Sequence, residues 1–184
     1  MMMNCNTQVA SLLHAEHMRT LRDLQDLDAF LDDHPARRLP DAADPAFQGI
    51  LTNVVAKLTA ELTRHFTFEE THLFPVMVAA GEPGIAAFLT EEHDSIRPVA
   101  RHLIGLASPW LRGVPLSAAG WADFHASGRE LCEREMLHIQ KEEMGLLAAI
   151  AMFVDAEADA RLAALYAALV AAECGAGSAS ASAA

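Results

Sequence analysis

The chain has 184 residues and a net charge of −12, enough length for one domain with a sizeable core. That acidity, without any Lys/Arg cluster, excludes the usual partners of basic proteins, nucleic acid and anionic membrane surfaces. Alanine and leucine dominate and aromatic residues make up only 6%, which favours an all-α protein over a sheet protein. Cys5, Cys132 and Cys174 lie too far apart for a thiolate metal site, and an odd number suggests no disulfide framework. Residues Met1 to Val9 carry no basic stretch followed by an apolar one, so no secretory signal is expected. The longest apolar run, Leu146 to Val154, is too short to span a bilayer. A reduced cytoplasm is the expected compartment.

The first predicted helix runs from about Thr7 to Asp32, with Leu13, Leu24, Leu27 and Leu31 at helical spacing, and His34-Pro35 stops it. After a Pro-bearing loop, a second helix covers about Ala46 to Ala79, ending at the turn Gly81-Glu82-Pro83-Gly84. The third runs from about Ile85 to Ala107, where Pro98 should kink it. Pro109 to Pro115 forms the next connection, and Ser117 is the expected N-cap of a fourth helix over about Ala118 to Val154. A shorter fifth helix, about 156–173, carries Leu162, Leu165, Leu169 and Val170 on one stripe. The Gly/Ser/Ala tail, 175–184, is expected to be disordered. The fold expected from these elements is an all-α, antiparallel up-down-up-down four-helix bundle (core about 7–154) with a short additional C-terminal helix.

A histidine–glutamate pattern occurs once in each half. Glu16-His17 is followed by His65-x-x-x-Glu69-Glu70, and Glu92-His93 by His138-x-x-x-Glu142-Glu143. Residues i and i+4 project from one helix face, so each His-x-x-x-Glu forms a two-pronged clamp. With antiparallel neighbours, His17, Glu69, His93 and Glu142 all fall roughly 12–18 Å from the same bundle end, at the helical rise per residue. Four neutral imidazoles and two carboxylates therefore converge at one level. That donor set suits a pair of iron, manganese or zinc ions and, lacking thiolate, argues against copper or iron–sulfur sites. There is no His-Glu-x-x-His, so a zinc-protease reading has no support.

These strings, with His65-Phe-Thr-Phe-Glu69-Glu70-Thr-His-Leu73-Phe74-Pro75 and His138-Ile-Gln-Lys-Glu142-Glu143, resemble the hemerythrin-like, or HHE cation-binding, domain family. The resemblance covers about residues 10 to 155 and assigns the domain to 1–174. It implies a bridged centre of two non-haem iron ions (manganese or zinc being alternatives) in a four-helix bundle. In that picture Glu69 and Glu142 bridge, and His17, His65, His93 and His138 bind terminally. The chain departs from oxygen-carrying members, which have a fifth histidine and an aspartate in the final helix. Here Arg97 stands four residues after His93, leaving one metal position more open. Four histidines with two glutamates are closer to the iron–sulfur repair branch, whose N-terminal cysteine-bearing segment this chain lacks.

The resemblance implies binding or sensing of a small diatomic, O2 or NO, rather than turnover. Leu13, Phe66, Leu89, Ile96 and Leu137 are expected to line the site and limit water. The alternative is an iron-handling or stress-response enzyme: iron–sulfur cluster repair, or reduction of peroxide or NO. A third possibility is an interaction module that the metal merely stabilises. Of the remaining polar residues, His14 shares the side of His17 and is a candidate neighbour or alternative ligand. Glu135 is a candidate proton relay. Glu16, Glu70, Glu92 and Glu143 are rotated away from the ligands, towards surface or supporting positions. His72 reads as pocket lining or surface, and His34, His102 and His125 as solvated. Tyr166 and Trp121 read as packing groups.

Overall fold

The computed structural model describes residues 7–181, with backbone alone from residue 174 onward. Five helices account for nearly all of it: α1 (Gln8–Asp33), α2 (Pro45–Ala79), α3 (Pro83–Leu111), α4 (Ala118–Phe153) and α5 (Ala156–Ala181). The first four pack in a ring, each against the next and α4 back against α1, while α5 lies along α1. The architecture is the expected all-α bundle with an additional C-terminal helix. No helix among the described residues is long and apolar enough to cross a membrane.

The caps follow local chemistry. Asp44 accepts a hydrogen bond from Ala46 N (2.9 Å), with Pro45 pre-set in the first turn of α2. Ser117 caps α4 as expected, accepting from Gly120 N at 3.0 Å. Helices α2 and α3 both end on a glycine at positive φ, Gly81 and Gly113. The following residue donates back to the last turn (Glu82 N to Met77 O, Val114 N to Pro109 O), which is the Schellman closure that Gly favours. Helix α3 stays continuous through Pro98 and runs beyond the expected end at Ala107, through Pro109, to Leu111. Helix α5 likewise continues past Glu173, over the residues expected to be disordered. Its backbone is helical to Ala181 because alanine favours helix strongly enough to offset the glycines at 175 and 177. Residues 182–184 of that expected tail, and Cys5, lie outside the described residues. Cys132 is buried in the core and has no disulfide partner among the described residues.

Two apolar clusters fill the bundle. One contains Leu24, Leu31, Phe47, Leu58, Ile96, Trp121, Phe124 and Ile139; the other Val9, Leu13, Phe68, Leu89, Leu146, Ile150, Leu162 and Tyr166. On α1, α3 and α4 the two clusters are separated by a polar residue of the recurring pattern, and on α2 they meet at Phe66 and Phe68 between His65 and Glu69, so a buried polar layer crosses the bundle between two cores. Trp121 is a packing group, as expected. Tyr166 packs edge-on to Phe68, with centroids 4.7 Å apart, but its hydroxyl reaches the polar layer.

Helix α5 is tied to the start of α1 by Asp159, which accepts from Gln8 N (2.8 Å) and Val9 N (2.9 Å). Thr7 makes no side-chain cap there, so a residue distant in sequence supplies it. Replacing it, Asp159→Ala, should cost about 1–2 kcal/mol, the upper range for a lost cap. That corresponds to a Tm lower by roughly 2–8 °C in thermal denaturation followed by circular dichroism. An unchanged Tm would show that the cap contributes nothing to docking α5.

Candidate metal centre

His17 from α1, His65 and Glu69 from α2, His93 from α3, and His138 and Glu142 from α4 are all buried, none more than 1% exposed. The structure brings all six together, in two groups: His17, His65, Glu69 and Glu142, and Glu69, His93, His138 and Glu142. Glu69 presents Oε1 to His65 Nε2 (3.5 Å) and Oε2 to His93 Nε2 (3.3 Å). Glu142 presents Oε2 to His17 Nε2 (3.1 Å) and Oε1 to His138 Nε2 (3.1 Å). Both carboxylates are therefore shared, one oxygen to each group. His17 Nε2, His65 Nε2 and all four carboxylate oxygens have no hydrogen-bond partner. His93 Nε2 and His138 Nε2 face each other at 3.2 Å. Buried polar atoms are nearly always satisfied, and leaving one unpaired costs roughly 1–3 kcal/mol. Imidazole and carboxylate lone pairs aimed at two common points fit a pair of cations.

The backbone widens where these residues sit. Glu61–His65, Glu69–Leu73 and Glu142–Leu146 are single π-helical turns inside otherwise α-helical α2 and α4. Such turns insert an extra residue and shift which side chains face inward. The turn at Glu69–Leu73 comes just before Pro75, whose missing N–H interrupts the regular ladder in any case.

The second glutamates and the Glu-His doublets form a ring around this layer. His17 Nδ1 bonds to Glu143 of α4 (2.6 Å), His93 Nδ1 to Glu70 of α2 (2.7 Å), and His138 Nδ1 to Glu92 of α3 (3.1 Å). His65 Nδ1 has Glu16 of α1 at 3.7 Å and the Tyr166 hydroxyl at 3.5 Å. Each helix thus supplies a carboxylate to the histidine of the next. Every ring carboxylate is in turn paired with a basic group: Glu16 with Arg64, Glu70 with Arg97, Glu92 with Lys141, Glu143 with His14. An Nδ1–H held by a carboxylate fixes the tautomer and directs Nε2 inward. His65 is the odd one out, because the charge of Glu16 is drawn to Arg64, which also pairs with Glu173 of α5.

This packing sets the protonation of the metal-free protein. Burial pulls His17 down, but the Glu142 carboxylate 3.1 Å away and the hydrogen bond to Glu143 carry it up to about 9. Burial opposes the charge on His93 and His138 too, and the glutamates lift them to about 9 and about 10. His65 is also raised well above its ordinary value against the effect of burial, chiefly by Glu61 and Glu69. Glu142 is buried, yet the surrounding histidines, His138 foremost, hold it well below the usual carboxylate range. Glu69 is raised by burial and by Glu142.

The other candidates fall into place individually. His14 does not join the centre; it bonds to Glu143 (2.8 Å) with its side chain 42% exposed. His72 is half-buried beside Phe68. His102 is exposed and pairs with Asp123, but His34 and His125 are half-buried, bonded to Phe30 O and Leu31 O rather than simply solvated. Leu13, Phe66, Leu89 and Ile96 are buried, and Phe66 stacks on His93 with centroids 3.8 Å apart. Leu137 is 48% exposed: it neighbours His138 in sequence, but one helical residue is a rotation of about 100°, enough to turn it outward. Arg97 offers no ligand and lies over the Phe66 ring. Glu135 is buried near the site, with burial and Glu61 raising it to about 8. The sequence reading passed over Glu61, whose Oε1 lies 3.7 Å from His65 Nε2. The available signal was Glu61-x-x-x-His65-x-x-x-Glu69, three residues on one helix face.

A four-helix bundle with a buried histidine–carboxylate cluster defines the class: a bundle metal protein with its donors on facing helices. A sequence model described as the hemerythrin HHE cation binding domain matches residues 8–150, and the chain belongs to that family. Comparisons with curated proteins and with solved structures found no match.

The raised histidines stabilise the metal-free fold fully below about pH 6.5, and this contribution is lost as pH rises through about 9–10. The metal-free Tm should therefore fall between about pH 8 and 10. The metal-loaded Tm should not, because ligation replaces the protons, and loading at pH 7 should release protons into weakly buffered solution. Parallel alkaline losses with and without metal would contradict this.

Proposed function

We propose that this protein holds two non-haem iron ions and binds or senses a small diatomic, O2 or NO. The observation that carries the reading is the sharing of Glu69 and Glu142, one oxygen to each histidine pair, inside a layer where those oxygens have no other partner. His17 and His65 would hold one ion, His93 and His138 the other, with both glutamates bridging. Iron held there would supply electrons to a bound diatomic; everything else comes from the chain. The two histidine pairs are not equivalent. Glu61 stands beside His65, whereas on the His93 side the residue one helical turn on, Arg97, turns instead to Glu70. Arg97 therefore leaves the ion held by His93 and His138 without a further protein ligand from that helix turn, a position that an exogenous ligand could take. Phe66, Phe74 and Leu89, all buried, surround it with apolar surface that excludes water and favours an uncharged guest. The ring carboxylates keep the imidazoles oriented as charge changes at the centre.

A second reading, iron handling, is favoured by the grouping of Glu16, Glu61 and His65, a third set of donors beside the first. It predicts transfer of iron to a chelator or an apo-cluster protein.

Anaerobic, iron-loaded, reduced protein should develop new visible absorption on addition of O2 or NO. A spectroscopically silent, iron-replete protein would overturn the diatomic reading. The substitution His138→Ala should leave about one iron per chain, by metal analysis, and abolish that absorption, since the ion beside Arg97 is the one disrupted. Full retention of both would place the ligand-binding position elsewhere.

A further inference from the structure

Two buried carboxylates play no part in the proposed centre. Glu61 and Glu135 are 7% and 1% exposed. Both oxygens of Glu135 lack a hydrogen-bond partner. The two residues line the same narrow cleft between α1, α2 and α4, walled by Leu24, Leu27, Val54 and Leu131. Glu61 also lines a larger groove on the outer side, about 400 Å³, whose rim includes Asp23 and Lys57. Glu61 therefore stands at the junction of the wide groove and the narrow cleft, and it reaches the centre through His65, 3.7 Å away.

The chemistry of this junction selects its guest. Two carboxylates placed close together in apolar surroundings repel one another, and Glu135 is pushed up by burial and by Glu61. A neutral diatomic gains nothing from them, whereas a cation relieves both the repulsion and the unpaired oxygens. The cleft holds only about 30 Å³, room for a water molecule or a bare ion and not for an organic cation. Carboxylate oxygens suit hard and borderline divalent ions. The groove's own charges balance, Glu16, Asp23 and Glu61 against Arg19, Lys57 and Arg64, so the field that favours cation approach comes from the chain's net charge of −12.

We propose that Glu61 and Glu135 form a transfer site for a divalent metal cation, which enters from the groove between α1 and α2 and passes along α2 to the centre. Glu61, His65 and Glu69 lie one helical turn apart on one face, so each offers the ion its next ligand before the previous one is released. The site is a station on the way in and contributes no ligand to the loaded centre. This inference rests on the metal-centre reading above.

The test is uptake of Co2+ by the metal-free chain, followed by stopped-flow absorption. Glu61→Gln and Glu135→Gln keep side-chain shape and remove charge. Each should bind the same final number of ions with the same spectrum as the unaltered chain, but about tenfold or more slowly, as expected where a guiding charge is removed. The carboxylate-retaining Glu135→Asp should load within about threefold of the unaltered rate; far-UV circular dichroism confirms the helical fold of each variant. Unchanged rates in both Gln variants would overturn the proposal. So would loss of a bound ion at saturation, which would make these residues permanent ligands. If the unaltered chain takes up no cobalt, the failure lies with the metal-centre reading instead.

Discussion

The structure is organised around a layer of polar groups that the protein alone does not satisfy. Six side chains from four helices are buried between two apolar cores, and most of their inward-facing atoms lack hydrogen-bond partners. Proteins rarely tolerate this, because each unpaired buried group costs of the order of 1–3 kcal/mol. A folded chain that accepts such a cost at several sites at once is built for a guest that recovers it, and cations at the two convergence points would do so. The same bundle without a cation keeps its charge balance by placing protons on the histidines, which is why metal and proton compete for the same atoms.

Around that layer the bundle repeats one device four times: imidazole inside, carboxylate behind it, and a basic group paired with the carboxylate. The carboxylate comes from the neighbouring helix each time, so the device also pins adjacent helices in register. The exception at His65 falls where α5 joins. Tyr166 approaches Nδ1, and Glu173 competes for Arg64, which holds Glu16. The family match ends at residue 150, before this helix begins, so α5 is an addition with contacts to the polar layer rather than a passive appendage. The side of the centre with the looser histidine is also the side with the additional carboxylates Glu61 and Glu135, and with the groove leading outward.

Much of this was legible in the sequence, for physical reasons. The i, i+4 spacing of His65/Glu69 and His138/Glu142 dictates a shared face, and counting residues from the helix ends brings His17 and His93 to the same level. The helix boundaries held to within a few residues, except where alanine-rich or proline-tolerant stretches carried α3 and α5 further than their Gly and Pro content suggested. Angular position alone relegated Glu16, Glu70, Glu92 and Glu143 to surface or supporting places, but a helical wheel shows one helix, and their partners sit on the next. Glu61 was legible in its i, i+4 spacing to His65 and was passed over; the π-helical turns at Glu61–His65 and Glu69–Leu73 have no simple sequence signature. Leu137 failed for a related reason: adjacency in sequence to His138 placed it on a different face. The capping role of Asp159 and the reach of Tyr166 depend on how α5 docks, which periodicity cannot supply.

The central claim is that two cations occupy the polar layer, sharing Glu69 and Glu142. It is tested most directly by anomalous diffraction at the iron edge from crystals of iron-loaded protein. The account predicts two iron peaks per chain, one among His17, His65 and the two glutamates, the other among His93, His138 and the same glutamates. A layer without anomalous density, its side chains bonded to water or to each other, would contradict it.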